Sequence, residues 1–233
     1  MGLLLCIETA TSICSVALGK DGVLLSLQEA HETNQHSSQL TLLISKLFEE
    51  SGTSLHDLDA IAVSKGPGSY TGLRIGVSTA KGLCYGLEKP MIGLSTLQAM
   101  AYGMSVQCEV PEGSLFCPMI DARRMEVYMA LYDATNETIH QPVAEIIDLN
   151  TFSAFQQKHT IVCAGDGAEK CKPTFEGMSG ILFPQASVPS AQFMIPLAER
   201  AFLMSQFENV AYFEPYYLKD FIAGKAGVKG LLG

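Results

Sequence analysis

Ser64-Lys65-Gly66-Pro67-Gly68-Ser69-Tyr70-Thr71-Gly72-Leu73-Arg74-Ile75-Gly76-Val77-Ser78-Thr79-Ala80-Lys81-Gly82-Leu83 is the stretch on which the fold turns. An apolar run over residues 58–63 has the length and composition of a buried strand. The Gly-Pro-Gly turn closes that strand and opens a helix expected over residues 71–87. Its polar stripe is thin: Arg74, Ser78, Lys81 and Tyr85. Leu73, Ile75, Gly76, Val77, Ala80, Gly82, Leu83 and Cys84 wrap round the remainder. A helix this apolar has to be covered on most sides. One face can rest on its own sheet, and the other is expected to need a second protein. Gly72, Gly76 and Ala80, and again Gly82 and Gly86, recur every four residues, where small side chains admit another backbone. Each glycine inside a helix costs about 0.5–1 kcal/mol relative to alanine, so a closely packed neighbour is expected.

Working outward, residues 3–7 and 12–19 read as strands joined by the hydroxyl-rich turn Thr9-Ala10-Thr11. Asp21-Gly22 is a tight hairpin into a third strand over residues 23–29. A helix over residues 38–51 carries Leu40, Leu43, Ile44, Leu47 and Phe48 at helical spacing and stops at Gly52. Residues 60–63 and 91–94 are further strands, and another helix starts at Thr96. Three strands, then helix, strand, helix and strand, make a mixed sheet backed by helices, an α/β class. The polar stretch 105–113 marks the boundary between domains of residues 1–105 and 106–233. In the second half, strands at 115–121 and 126–133 flank Ala122-Arg123-Arg124, helices are expected at 149–157 and 191–205, and the tail from Gly224 is expected to fray.

Composition narrows the function. The 233 residues are 48% hydrophobic and 17% charged, as in a globular protein. A formal net charge of −9 makes a poor stand-alone nucleic-acid binder, so a partner is expected to supply most of any basic surface. Seven cysteines show no C-x-x-C pair and read as reduced, buried thiols of a cytoplasmic protein. The opening MGLLLCIETATSICSVALG has no basic region ahead of its apolar run, and Cys6 stands where a myristoylation signal needs Ser or Thr. No apolar run reaches about 18 residues, so no membrane association is expected.

Several motifs carry two readings each. The GPGSYTG turn serves tight packing or meets an anion, although it matches neither G-x-G-x-x-G nor the P-loop. Glu8 beside Thr9 and Thr11 is a satisfied turn or a holder of magnesium-bound phosphate. Arg123 and Arg124 pair with Asp121 or Glu126, or reach outward to RNA or a partner. Gly165-Asp166-Gly167 is a turn or a ligand contact. The five histidines show no metal-ligand spacing, and no nucleophile elbow is present, so neither cofactor nor metal is expected.

Ile7-Glu8-Thr9-Ala10-Thr11, the run from Lys65 to Gly76, Asp121-Ala122-Arg123-Arg124-Met125-Glu126-Val127-Tyr128, Ala164-Gly165-Asp166-Gly167-Ala168 and Pro215-Tyr216-Tyr217-Leu218-Lys219 together resemble the bacterial TsaB (YeaZ) family over nearly the whole chain. The resemblance implies an actin/hexokinase-like (ASKHA) fold of two related α/β domains with mixed sheets. It implies a non-catalytic subunit in forming threonylcarbamoyladenosine (t6A) at position 37 of tRNAs that read ANN codons. Such a subunit binds a TsaD-type catalytic partner, which carries a metal-binding H-x-x-x-H motif, through its first two helices. A TsaE-type ATPase joins the assembly, tRNA is engaged mainly through the complex, and the chain alone forms a homodimer. Mapped onto this sequence, the partner face is Leu40, Leu43, Leu47, Gly72, Ile75, Gly76, Thr79, Ala80 and Leu83, with Arg74, Arg123 and Arg124 as candidate RNA or partner contacts. Arg introduced at Gly76 or Ala80 is expected to abolish pairing and leave the protomer folded. The family usually has Asp where this chain has Glu8, which weakens a phosphate role for that turn. The competing reading is a nucleotide-dependent kinase or ATPase of the same fold.

Overall fold

The computed structural model describes residues 2–31, 36–186 and 188–219; the segment from Gly224 expected to fray lies outside them. The first sheet has the order β3-β2-β1-β4-β5. Its strands are β1 (Leu3–Glu8), β2 (Cys14–Lys20), β3 (Val23–Ala30), β4 (Ala60–Gly66) and β5 (Met91–Ser95). β1 is central, antiparallel to β2 and parallel to β4. Every one of its residues is buried, which is why it reads as a continuous apolar run and not an alternation.

Helices α1 (His36–Ser51) and α2 (Tyr70–Leu87) cover one face of this sheet. There Leu40, Ile44 and Leu47 meet Leu5, Ile7, Val16, Leu18, Ile61 and Val77 in one core. The opposite face is covered by α3 (Thr96–Gln107) and by α4 (Ile195–Leu203) with the short helical turn before it. Leu97, Met100 and Met104 of α3 also pack on Phe116, Ile120 and Val162, so α3 is shared between the two sheets.

The second sheet repeats the first. Strands β6 (Leu115–Asp121), β7 (Glu126–Tyr132), β8 (Thr138–Ile146), β9 (Ile161–Ala164) and β10 (Ile181–Leu182) have the order β10-β9-β6-β7-β8. β6 is antiparallel to β7 and parallel to β9, as β1 is to β2 and β4. Within the expected block 106–233, Ala191, Met194, Ile195 and Ala198 return to pack on Leu4, Cys6 and Ala17 of the first sheet. β8 has no strong sequence signal because it is a half-exposed edge strand carrying Pro142, a residue that edges tolerate. The helix expected at 149–157 forms successive turns instead.

Candidate partner interface

α2 starts on top of the β1–β2 turn and is fastened to it. Ser69 N donates to Ala10 O at 2.6 Å, and Thr9 Oγ1 donates to Gly72 O at 2.8 Å. Ser69 caps the helix by accepting from Gly72 N at 3.3 Å. A Cβ at Gly68 would strike Ala10 O, one at Gly72 would strike Thr9 O, and one at Gly76 would strike Thr9 Oγ1. These three glycines are therefore explained within the protomer. What approaches them is the chain's own turn, by backbone at Gly68 and Gly72 and by the Thr9 side chain at Gly76.

Five residues expected on the partner face are corrected by this arrangement. Leu40, Leu47, Gly72, Gly76 and Ala80 are buried inside the protomer, facing the sheet or the turn. They lie on the face of each helix that the first core requires. For the same reason Arg at Gly76 or Ala80 would disrupt the fold and would not isolate pairing. Leu43, Ile75, Thr79 and Leu83 are half-buried and line the border of that core, so the apolar surface of α2 is only partly enclosed.

What faces solvent is a narrower band. Thr41, Leu42 and Ser45 on α1, and Thr71, Arg74, Ser78, Gly82, Tyr85 and Gly86 on α2, are exposed. Leu42 is 67% and Tyr85 85% accessible. A Cβ at Gly82 or Gly86 meets nothing within 4 Å. Nothing among the described residues therefore accounts for a glycine at either place, although each weakens the helix. Sequence reasoning passed over Leu42; its signal is an apolar residue outside the stripe set by Leu40, Leu43 and Leu47.

The N-terminal half of α2 adjoins a shallow hollow of about 500 Å³ lined by Ser37, Tyr70, Thr71, Arg74, Ile75 and Thr79. The Arg74 guanidinium lies 5.0 Å from the centre of the Tyr70 ring, and Tyr70 packs on Tyr217 with ring centres 4.9 Å apart. Lys81 is used internally: its ammonium donates to Phe213 O at 2.9 Å and Ala211 O at 3.3 Å.

Glu8 is sealed beneath the start of α2. Oε1 accepts from Ala10 N at 2.6 Å and from Ser64 Oγ at 2.9 Å, while Oε2 is buried without a hydrogen-bond partner. Burial raises its pKa from the ordinary 4.5 to about 7, against hydrogen bonds from the backbone of Ala10 and Thr9 and from Ser64, which lower it.

In the second sheet the β6–β7 turn is held from below by Lys170. Its ammonium donates to Arg124 O at 2.8 Å and Glu126 O at 2.7 Å and pairs with Asp121. Asp121 Oδ1 accepts from Arg123 N at 2.8 Å, and Asp166 Oδ1 accepts from Asp121 N at 3.0 Å. The Gly165-Asp166-Gly167 turn thus anchors the hairpin. Glu126 pairs with Lys219. Both acids expected to neutralise Arg123 and Arg124 are engaged by lysines.

The comparisons fit this architecture. The family model of tRNA N6-adenosine threonylcarbamoyltransferase (TsaD) matches residues 28–193. The tRNA threonylcarbamoyladenosine biosynthesis protein TsaB of Escherichia coli K12 is 35% identical, with 95% of this chain and 96% of that protein covered. The Haemophilus influenzae TsaB is 28% identical, with 95% of each covered. The solved structure of YeaZ from Pseudomonas aeruginosa superposes with a TM-score of 0.80 at 26% identity, covering 94% of this chain and all of that one. The two mixed sheets, each backed by helices, form the fold of that YeaZ structure.

Proposed function

This chain belongs to the TsaB (YeaZ) family and acts in t6A biosynthesis, and on that premise we propose that it is the non-catalytic subunit that docks on a TsaD-type transferase to form t6A at position 37 of tRNAs reading ANN codons. The docking face is the exposed Leu42, Gly82, Tyr85 and Gly86 of α1 and α2 together with the half-buried border Leu43, Ile75, Thr79 and Leu83. The observation that carries this reading is the pair Gly82 and Gly86, open to solvent on α2 beside the accessible Tyr85. A helix that pays for two such glycines gains from them only when another backbone comes close. Kinship with the catalytic subunit supports pairing of like with like, since residues 28–193 match that enzyme's own family model. Two related folds can then meet through equivalent helices in a four-helix interface of about 1,600 Å², the size of a specific complex.

The β1–β2 turn supports the non-catalytic part. A phosphate-binding turn has to present free backbone N–H groups, whereas here the first residues of α2 lie over it and Glu8 is shut beneath them. Among the described residues no three His, Cys, Asp or Glu side chains converge as metal ligands. Alone, the same face pairs with a second copy of this chain; in the assembly a TsaE-type ATPase joins the pair, tRNA is engaged mainly by the complex, and the setting is the cytoplasm.

The test is reconstitution of tRNA modification from purified components with this chain left out once. Loss of t6A on omission, restored by adding the chain, is the expected result. Undiminished product without it, or magnesium-dependent ATP turnover by the isolated chain, would overturn the reading.

A further inference from the structure

Arg123 and Arg124 are adjacent residues in left-handed backbone, with φ of 72° and 54°. That region suits glycine and disfavours side chains with a Cβ, and arginine has no local polar reason to enter it. The three-residue loop 123–125, closed by Ala122 N donating to Glu126 O, would ordinarily place glycine or asparagine at such φ. Strain of this sort persists only where neighbouring structure over-determines it. Here Lys170 grips the turn by two carbonyls and a carboxylate, and Asp166 holds Asp121 N.

The same contacts change the electrostatics of the tip. Asp121 is paired with Lys170 and Glu126 with Lys219, so the acids flanking the arginines are neutralised by other cations. Among the described residues neither guanidinium is within ion-pairing distance of a carboxylate. Two exposed positive charges, with Arg123 within electrostatic reach of Asp121 but not ion-paired to it, thus stand on the hairpin of a chain whose formal net charge is −9.

The hairpin is also tied to the start of α2. Tyr216 N donates to Lys65 O at 2.7 Å, Tyr217 packs on Tyr70 of α2, and Lys219 reaches Glu126. A segment of four residues therefore joins the start of α2 to the arginine hairpin, a span of at most about 14 Å.

We propose that Arg123 and Arg124 contact the phosphate backbone of the tRNA, so that the RNA is held jointly by this subunit and the partner on α1 and α2. The proposal rests on the docking reading above. RNA is favoured over an acidic protein because the relatives are named for tRNA modification. The docking face for protein lies on the other domain, and adjacent guanidiniums suit successive phosphates.

The experiment measures binding of an in vitro transcribed tRNA to the purified complex with the TsaD-type partner between 50 and 300 mM KCl (a range of about sixfold, chosen to resolve the salt slope). Complex formation is read separately by size-exclusion chromatography. Arg123→Gly/Arg124→Gly suits the left-handed backbone, and Arg123→Gln/Arg124→Gln is measured beside it in case the glycines loosen the hairpin. Each double variant is expected to form the complex normally, to bind tRNA about tenfold or more weakly at low salt, and to lower the slope of log affinity against log salt by about 2. Arg123→Lys/Arg124→Lys is expected to keep most of the slope. Unchanged affinity and slope in an intact complex would overturn the proposal alone. Loss of the complex with the tRNA slope retained would assign the arginines to a protein contact and overturn it too. Failure of the wild-type chain to bind the partner at all would overturn the docking reading, and this proposal with it.

Discussion

Thr9 and Gly76 occupy one another's space: the Thr9 hydroxyl fills the notch that a Cβ at residue 76 would need, and the same hydroxyl donates to Gly72 O at 2.8 Å. The first turns of α2 thereby become part of the β1–β2 turn and leave only the later turns free for another chain.

Gly76→Ala is therefore expected to destabilise the protomer by about 1–3 kcal/mol, the usual cost of overpacking against a fixed neighbour. Gly82→Ala, which meets nothing within 4 Å, should stabilise it by about 0.5–1 kcal/mol through helix propensity. Urea denaturation of the two variants checks the contrast. A protomer indifferent to Gly76→Ala would refute the packing described here.

At the docking face, Leu42→Glu and Gly82→Arg place charge on residues that the protomer leaves open. Leu42→Glu should move stability by no more than about 0.5 kcal/mol, and Gly82→Arg should raise it by about 0.5–1 kcal/mol through helix propensity. Co-purification with the TsaD-type partner, and self-association of the chain alone, should fall at least tenfold. Wild-type recovery of the partner by both variants would count against the face.

Glu8 gives a pH signature. Its folded-state pKa of about 7 lies above the ordinary 4.5, so the fold favours the protonated acid. That contribution is complete below about pH 4.5 and is lost as pH rises through about 7. Glu8→Gln cannot ionise, so its stability relative to wild type should increase from pH 5 to pH 8 by about 2–3 kcal/mol. Paired denaturation curves at the two pH values measure this; a pH-independent difference would mean that the carboxyl is not buried as described.

Lys170→Ala removes one ammonium that serves two carbonyls and a carboxylate. A loss of about 1–2 kcal/mol is expected, reduced from the charged hydrogen-bond value because the side chain is partly exposed. Amide exchange should accelerate at Ala122 and Glu126, whose N–H groups close the hairpin. Unaltered exchange there would show that the turn holds itself.

Thiol accessibility offers a simple check of the core. Cys6, Cys14, Cys84, Cys117, Cys163 and Cys171 are buried, and only Cys108 is part-exposed. Burial raises the Cys108 thiol's pKa as well, so reaction should be slow. A chromogenic thiol reagent should titrate one group in the native protein and seven after denaturation.

The α/β class was legible from residues 58–87, because a buried strand, a Gly-Pro-Gly turn and an apolar helix each have a local pattern. The inner strands were legible too, since their residues are buried on both sides. β8 was not, because an edge strand half in water carries no apolar run. The return of 191–203 to the first sheet was equally hidden, as no local pattern tells a helix which sheet it will cover.

For the site, the sequence by itself determined that α2 carries more small and apolar residues than one sheet face explains, and that Arg123 and Arg124 sit at a turn. Which residues the excess belonged to was decided only in three dimensions. Gly72 and Gly76 went to Thr9, Leu40 and Leu47 went to the core, and Gly82, Gly86 and Leu42 were left open. Likewise Lys170 and Lys219, 44 or more residues along the chain, took the acids beside the arginines. The physical reason is common to both cases. A side chain's chemistry is local, but its partner is set by which distant segment folding brings within a few ångströms.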